Sequence, residues 1–151
     1  MTSARIALLA DRGVVRVTGA DAEKLLQGII SNDMELLASQ PAVHTALLTP
    51  QGKILFDFFV VRAGDGFLLE VARDKAADLA KRLTLYKLRA KVDIRDCSDD
   101  YGVLALWGPA PHSLGEMAGI VAFTDPRLQA LGLRILAEVR LAADIAMATG
   151  S

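Results

Sequence analysis

Apolar residues recur along this chain in two rhythms, and the rhythm changes from element to element. Residues 6–9 and 14–17 are short apolar runs around Asp11-Arg12-Gly13, which predicts a β-hairpin with a glycine-containing turn. Over residues 20–30 the spacing becomes helical, with Ala22, Leu25, Leu26 and Ile29 on one face. Asp21 and Glu23 stand in the first turn, where the helix dipole favours acids. Gly28 weakens the last turn, and Ser31-Asn32-Asp33 is a polar stop.

Residues 43–49, 54–62 and 67–72 predict three strands. Pro50-Gln51-Gly52-Lys53 and Ala63-Gly64-Asp65-Gly66 separate them as turns, so the three form an antiparallel meander. A second helix is predicted over residues 74–89, with Asp74 as N-cap and Ala76, Leu79, Ala80, Leu83 and Tyr86 as its apolar stripe. Val92 and Ile94 alternate with Lys91, Asp93 and Arg95, a half-exposed strand. Strands at 101–107 and 133–139 and a short helix at 113–117 complete the reading. The order predicts an α+β fold: an antiparallel sheet in a split β-α-β, ferredoxin-like arrangement. It divides into a hairpin-plus-helix subdomain (1–42), a ferredoxin-like α+β subdomain (43–141) and a tail of small residues (142–151).

Composition narrows the function classes. With 151 residues and 52% apolar content, the chain can bury a real core and is not disordered. Seventeen basic and 18 acidic residues give a net charge of −1, so there is no bulk electrostatic case for direct nucleic-acid or membrane binding. A single cysteine, Cys97, excludes an internal disulfide framework and fits a reducing compartment. No apolar stretch is long enough to span a bilayer, and residues 1–9 are too short for a signal-peptide core. A cytoplasmic protein is therefore expected.

Asp57 is the leading candidate for chemistry. In its strand one face reads Ile54, Phe56, Phe58, Val60 and the other Leu55, Asp57, Phe59, Val61. Both faces look buried, and a buried carboxylate needs a partner. Either Asp57 is a pocket acid that accepts hydrogen bonds from a ligand's amines, or it sits at a sheet edge or pairs with Lys53 or Arg89. Tyr86-Lys87-Leu88-Arg89-Ala90-Lys91 also has two readings: ordinary basic residues at a helix C-terminus, or an anion clamp with Tyr86 against a ring. His44 and His112 are isolated, without metal-ligand spacing. Cys97 has no nearby base and reads as a buried structural thiol. No phosphate-binding glycine loop or nucleophile elbow is present.

Three segments together resemble a known family. They are Leu25-Leu26-Gln27-Gly28-Ile29-Ile30-Ser31-Asn32-Asp33, then Ala46-Leu47-Leu48-Thr49-Pro50-Gln51-Gly52-Lys53-Ile54-Leu55-Phe56-Asp57, then Tyr86-Lys87-Leu88-Arg89-Ala90-Lys91-Val92. Their order and spacing are similar to the signatures of YgfZ-type folate-binding proteins of the aminomethyltransferase (glycine-cleavage T-protein) superfamily. The resemblance implies a T-protein-like folate-binding domain with tetrahydrofolate in a central hollow. It implies support for the assembly or repair of iron–sulfur client enzymes and, through them, an effect on tRNA thiolation. Bacterial members are cytoplasmic and mitochondrial members sit in the matrix. By matching motif positions, Asn32, Asp57, Tyr86 and Arg89 are the residues expected to bind folate.

The chain also departs from the family. The T-protein enzyme has a pair of acids on the Asp57 strand, but here Phe56 stands in the first position. The Lys-Gly-Cys-x-Gly-Gln-Glu signature of the YgfZ type is absent, and members are about twice this length. The chain therefore reads as a truncated, N-terminal half. The first expectation is a folate-binding accessory protein. The alternatives are a tetrahydrofolate-dependent aminomethyltransferase, or an interaction fragment without a ligand that self-associates through an uncovered apolar face.

Overall fold

The computed structural model describes residues 5–107, 120–127 and 132–142. Among the described residues nine strands, β1 (Arg5–Leu8), β2 (Arg12–Thr18), β3 (Ala42–Leu48), β4 (Ile54–Ala63), β5 (Gly66–Ala72), β6 (Asp93–Asp96), β7 (Tyr101–Trp107), β8 (Ile120–Thr124) and β9 (Leu133–Glu138), accompany two helices, α1 (Ala22–Ile29) and α2 (Arg73–Lys87). A 3₁₀ turn covers Met34–Ala38, its second amide capped where the Asp33 carboxylate accepts from the Glu35 N–H at 2.9 Å. The strands form two antiparallel sheets, one of order β3-β4-β5-β2-β6 and one of order β1-β7-β9-β8.

The five-stranded sheet carries the expected split β-α-β pattern. In β2-α1-β4 the strand between the two parallel partners is β5, and in β5-α2-β6 it is β2; β3 is added at the edge. The predicted meander is β3-β4-β5, antiparallel throughout.

Strand alternation divides the core into layers. Val15, Val17, Phe56, Phe58 and Leu69 face α1 and α2 and pack with Leu26, Leu79 and Leu83. Val14, Phe59, Val61 and Leu68 face the other way and pack against Val103, Phe123 and Leu136 of the second sheet. Complete burial of a leucine of this kind is worth about 2 kcal/mol, so each layer holds its sheet firmly.

Three local expectations are corrected. The first two strands are not a hairpin: β1 pairs with β7, whereas β2 lies between β5 and β6. The reason is burial. Val14 belongs to the inter-sheet layer and Val15 and Val17 to the helix layer, so β2 is covered on both faces and must be an interior strand. The short link between β1 and β2 therefore crosses from one sheet to the other. Asp74 is not the N-cap of α2, which starts at Arg73 with Ala72 in the cap position; Asp74 lies in the first turn. β8 escaped the sequence reading because its five residues carry no alternating pattern of their own. The helix expected at 113–117 and nearly all of the tail at 142–151 lie outside the described residues.

Two glycines make the packing testable. Gly19 has φ +115°, and a Cβ there would run into the Lys91 carbonyl and meet the Val92 Cα at 3.0 Å. Gly28 has open space around it inside α1. Gly19→Ala is expected to destabilise the fold by about 2 kcal/mol or more. Gly28→Ala is expected to stabilise it by roughly 0.5–1 kcal/mol through helix propensity. Urea unfolding of the two variants checks the contrast in sign.

Candidate functional site

The register of β3 and β4 places Asp57 opposite Ala46, with His44 opposite Phe59 and Ala42 opposite Val61. Asp57 thus shares the inter-sheet face with Phe59 and Val61. The second sheet covers those two residues but not Asp57, which lies two positions closer to the β3–β4 turn. Its side chain is 62% exposed, so the expectation of a buried acid is corrected. Its partner is neither Lys53 nor Arg89: Asp57 Oδ2 lies 3.4 Å from His44 Nε2. The His44 ring in turn tilts against Phe59, with centroids 5.0 Å apart.

Asn32 arrives at the same place from the chain that follows α1. Its Nδ2 donates to the His44 carbonyl at 3.1 Å, and its backbone N–H donates to Thr45 Oγ1 at 3.0 Å. Asn32, His44 and Asp57 therefore form one connected edge of the five-stranded sheet.

Deeper on this face lies a charged network that sequence reading missed. Glu70 on β5 is opposite Phe59 on β4 and has no exposed surface. Arg12 Nε donates to its Oε2 at 2.6 Å, and Arg134 Nη1 from the second sheet donates to its Oε1 at 2.7 Å. The guanidiniums of Arg134 and Arg127 lie over the Phe59 ring, 5.1 and 4.9 Å from its centroid. Asp125, 2% exposed, accepts from Arg127 at 3.1 and 2.8 Å and stands 3.9 Å from Arg134. Burial pushes the Asp125 carboxyl up, but hydrogen bonds from Arg127 and the charges of Arg127 and Arg134 outweigh it and hold the group below its ordinary value. The hydrogen bond with Asp125 raises Arg127 in return, against burial, with Glu70 and Asp57 adding to the pull. Arg127 is thus a half-exposed cation held by Asp125.

The arrangement can bind. It offers a solvated carboxylate and an amide tied to His44, whose imidazole shares the Phe59 ring with a guanidinium: acceptors for amine donors and a donor for an anion. Cys97 is buried, and burial pushes its thiol up. Among the described residues no three His, Cys, Asp or Glu side chains converge to hold a metal ion.

Tyr86 and Arg89 are not brought to this edge. They lie at the end of α2, on the opposite face of the sheet, where Tyr86 lines an open groove against α1. A signal for Glu70 was present: it is the one charged residue in the run Gly66–Ala72. The argument from an acid in an apolar strand holds for Glu70 and fails for Asp57. Asp125 and Arg127, in a connecting segment, carried no comparable pattern.

The GCVT N-terminal domain family matches residues 6–143 of the chain. A protein of Mycosarcoma maydis named "Iron-sulfur cluster assembly factor IBA57 homolog, mitochondrial" is 34% identical over 163 residues, covering 97% of this chain and 40% of its own length. The protein of the same name from Pyricularia oryzae is 35% identical over 136 residues, covering 85% and 34%. The chain thus spans two fifths or less of these relatives. Among solved structures, the glycine cleavage system aminomethyltransferase T from Bartonella henselae superposes with a TM-score of 0.80 at 17% identity, over 97% of this chain and 45% of that one. This establishes the T-protein-like fold. The relatives' names, mitochondrial in each case, overturn the cytoplasmic location expected from composition.

Glu70 holds two arginines that are themselves mostly buried, so its removal leaves uncompensated charge between the sheets. Glu70→Ala is expected to destabilise the fold by about 3–5 kcal/mol. Urea unfolding measures this, and a loss under about 1 kcal/mol would show the network to be incidental.

Proposed function

The chain belongs to the GCVT N-terminal domain family, and on that premise we propose that it binds tetrahydrofolate at the Asn32–His44–Asp57 edge and acts through binding in iron–sulfur enzyme assembly or repair. The single observation that carries this reading is the exposed Asp57 carboxylate on a face otherwise occupied by apolar and paired groups. A pterin presents an amine and a ring N–H side by side, which a carboxylate accepts together. Arg127 stands ready for the anionic end of the same ligand. The names of the relatives support the iron–sulfur side of the proposal. Iron–sulfur client enzymes are the partners it implies, and an influence on tRNA thiolation would follow through them.

Binding is favoured over methylene transfer for one reason. Phe56, at the position where the T-protein carries its first acid, is buried in the helix-side layer. It leaves one carboxylate on the exposed edge, not two. The chain supplies one wall of the folate hollow, and Tyr86 and Arg89 stand across the sheet from that wall.

Calorimetric titration with tetrahydrofolate under reducing conditions tests the proposal. Loss of a charge-assisted hydrogen-bond pair is worth about 1.5–3 kcal/mol, so Asp57→Ala is expected to weaken binding at least about tenfold. Equal affinity in the variant would remove Asp57 from the site.

A further inference from the structure

The end of α2 carries an unusual combination of exposed features. Residues 79–92 hold five cations (Lys81, Arg82, Lys87, Arg89 and Lys91) and no acid, in a chain whose net charge is −1. Among them Leu85 is 62% and Leu88 84% exposed, and Tyr86 is partly exposed. Leu88 terminates the helix with φ +47° and ψ −108°, a backbone region that glycine occupies freely and leucine does not. Stability alone would select glycine there. Leucine holds a strained conformation while its side chain gains no burial.

Beside this helix end lies an open groove of about 380 Å³ against α1. Leu25, Ile29 and Ala90 are among its lining residues, with Lys24, Tyr86 and Lys87 also present. Gly28 leaves the α1 side of the groove open. One acid, Asp21, also lines the groove and accepts from the Lys91 N–H at 2.8 Å, while Glu23 nearby pairs with Arg62 at 2.9 Å. Lys24 and Lys87 outnumber that single acid among the lining residues, so the groove presents a net positive field to an incoming group.

We propose that this groove and the α2 end form a docking surface for an acidic amphipathic segment of a partner protein. The shape selects the class of partner. A concave apolar channel between two helices receives the apolar face of a third, as helix-in-groove recognition does, while the basic rim pairs with acids on its flanks. A lipid surface would instead require a convex apolar face. Leu85 and Leu88 add exposed apolar surface at the same helix end. This surface is on the opposite side of the sheet from Asp57, so the inference stands independently of the folate proposal.

The test uses a fluorescein-labelled synthetic helical peptide with one leucine face and glutamates elsewhere, followed by anisotropy. A version with lysines for the glutamates and phosphatidylglycerol vesicles serve as comparisons. The glutamate peptide is expected to bind and to shift amide resonances of α1 and residues 85–91, and the lysine peptide is expected not to bind. Leu88→Gly is expected to raise Tm by about 4 °C and still weaken the peptide about tenfold, a pairing that a purely structural role for Leu88 would not produce. Arg89→Glu is expected to weaken the peptide similarly. Tetrahydrofolate affinity is expected to be unchanged in Leu88→Gly, so the two proposals fail separately. Equal binding of both peptides, unaltered binding in Leu88→Gly, or vesicle binding without peptide binding would overturn the docking proposal.

Discussion

The fold depends on one carboxylate placed where carboxylates are rarely found. Glu70 lies fully enclosed between two sheets and is matched by Arg12 from its own sheet and Arg134 from the other. A buried charge of this kind is stable only when paired and hydrogen-bonded at both oxygens, which the two guanidiniums achieve. The pairing also sets geometry. Arg134 reaches Glu70 only if β9 lies at one position against β5, so the ion pair fixes how the sheets sit on each other. An apolar contact, which is non-directional, would tolerate sliding.

The same network prepares the exposed edge. Phe59 packs against the tilted rings of His44 and Phe123 and against the guanidiniums of Arg127 and Arg134. Asp125 anchors Arg127, which leaves that cation ordered but still half open to solvent. The two acids of the face thus divide the work. Glu70 is consumed by structure, and Asp57, uncovered by the second sheet, is left open to solvent beside His44.

Much of the five-stranded sheet was legible in the sequence, because each helix buries one clear stripe and the meander strands, two of them buried on both faces, are apolar runs bounded by Pro/Gly turns. What it could not show was partnership across the chain. Ile6 and Leu8 look like the first arm of a hairpin with Val14–Val17, yet β2 is apolar on both faces and so belongs inside a sheet, which sends β1 to β7. Asp57 and Glu70 each interrupt an apolar strand, and the pattern alone does not say how far a covering sheet extends. The cover ends before Asp57 and includes Glu70. The family signatures grouped Asn32 and Asp57 with Tyr86 and Arg89 without information on which face of the sheet each occupies; the fold puts the first two on one edge and the last two across the sheet. Asp125 and Arg127 depend on a strand pairing formed late in the chain and left no local trace.

The central claim is that the ligand-binding face is the inter-sheet edge and not the helical face. Amide and side-chain NMR of the isotopically labelled chain during titration with tetrahydrofolate tests it most directly. The account predicts shifts at Asn32, His44, Thr45 and Asp57, with Arg127 following and residues 85–91 unmoved. Shifts confined to Tyr86, Arg89 and the α1 groove would contradict it and place the ligand on the other side of the sheet.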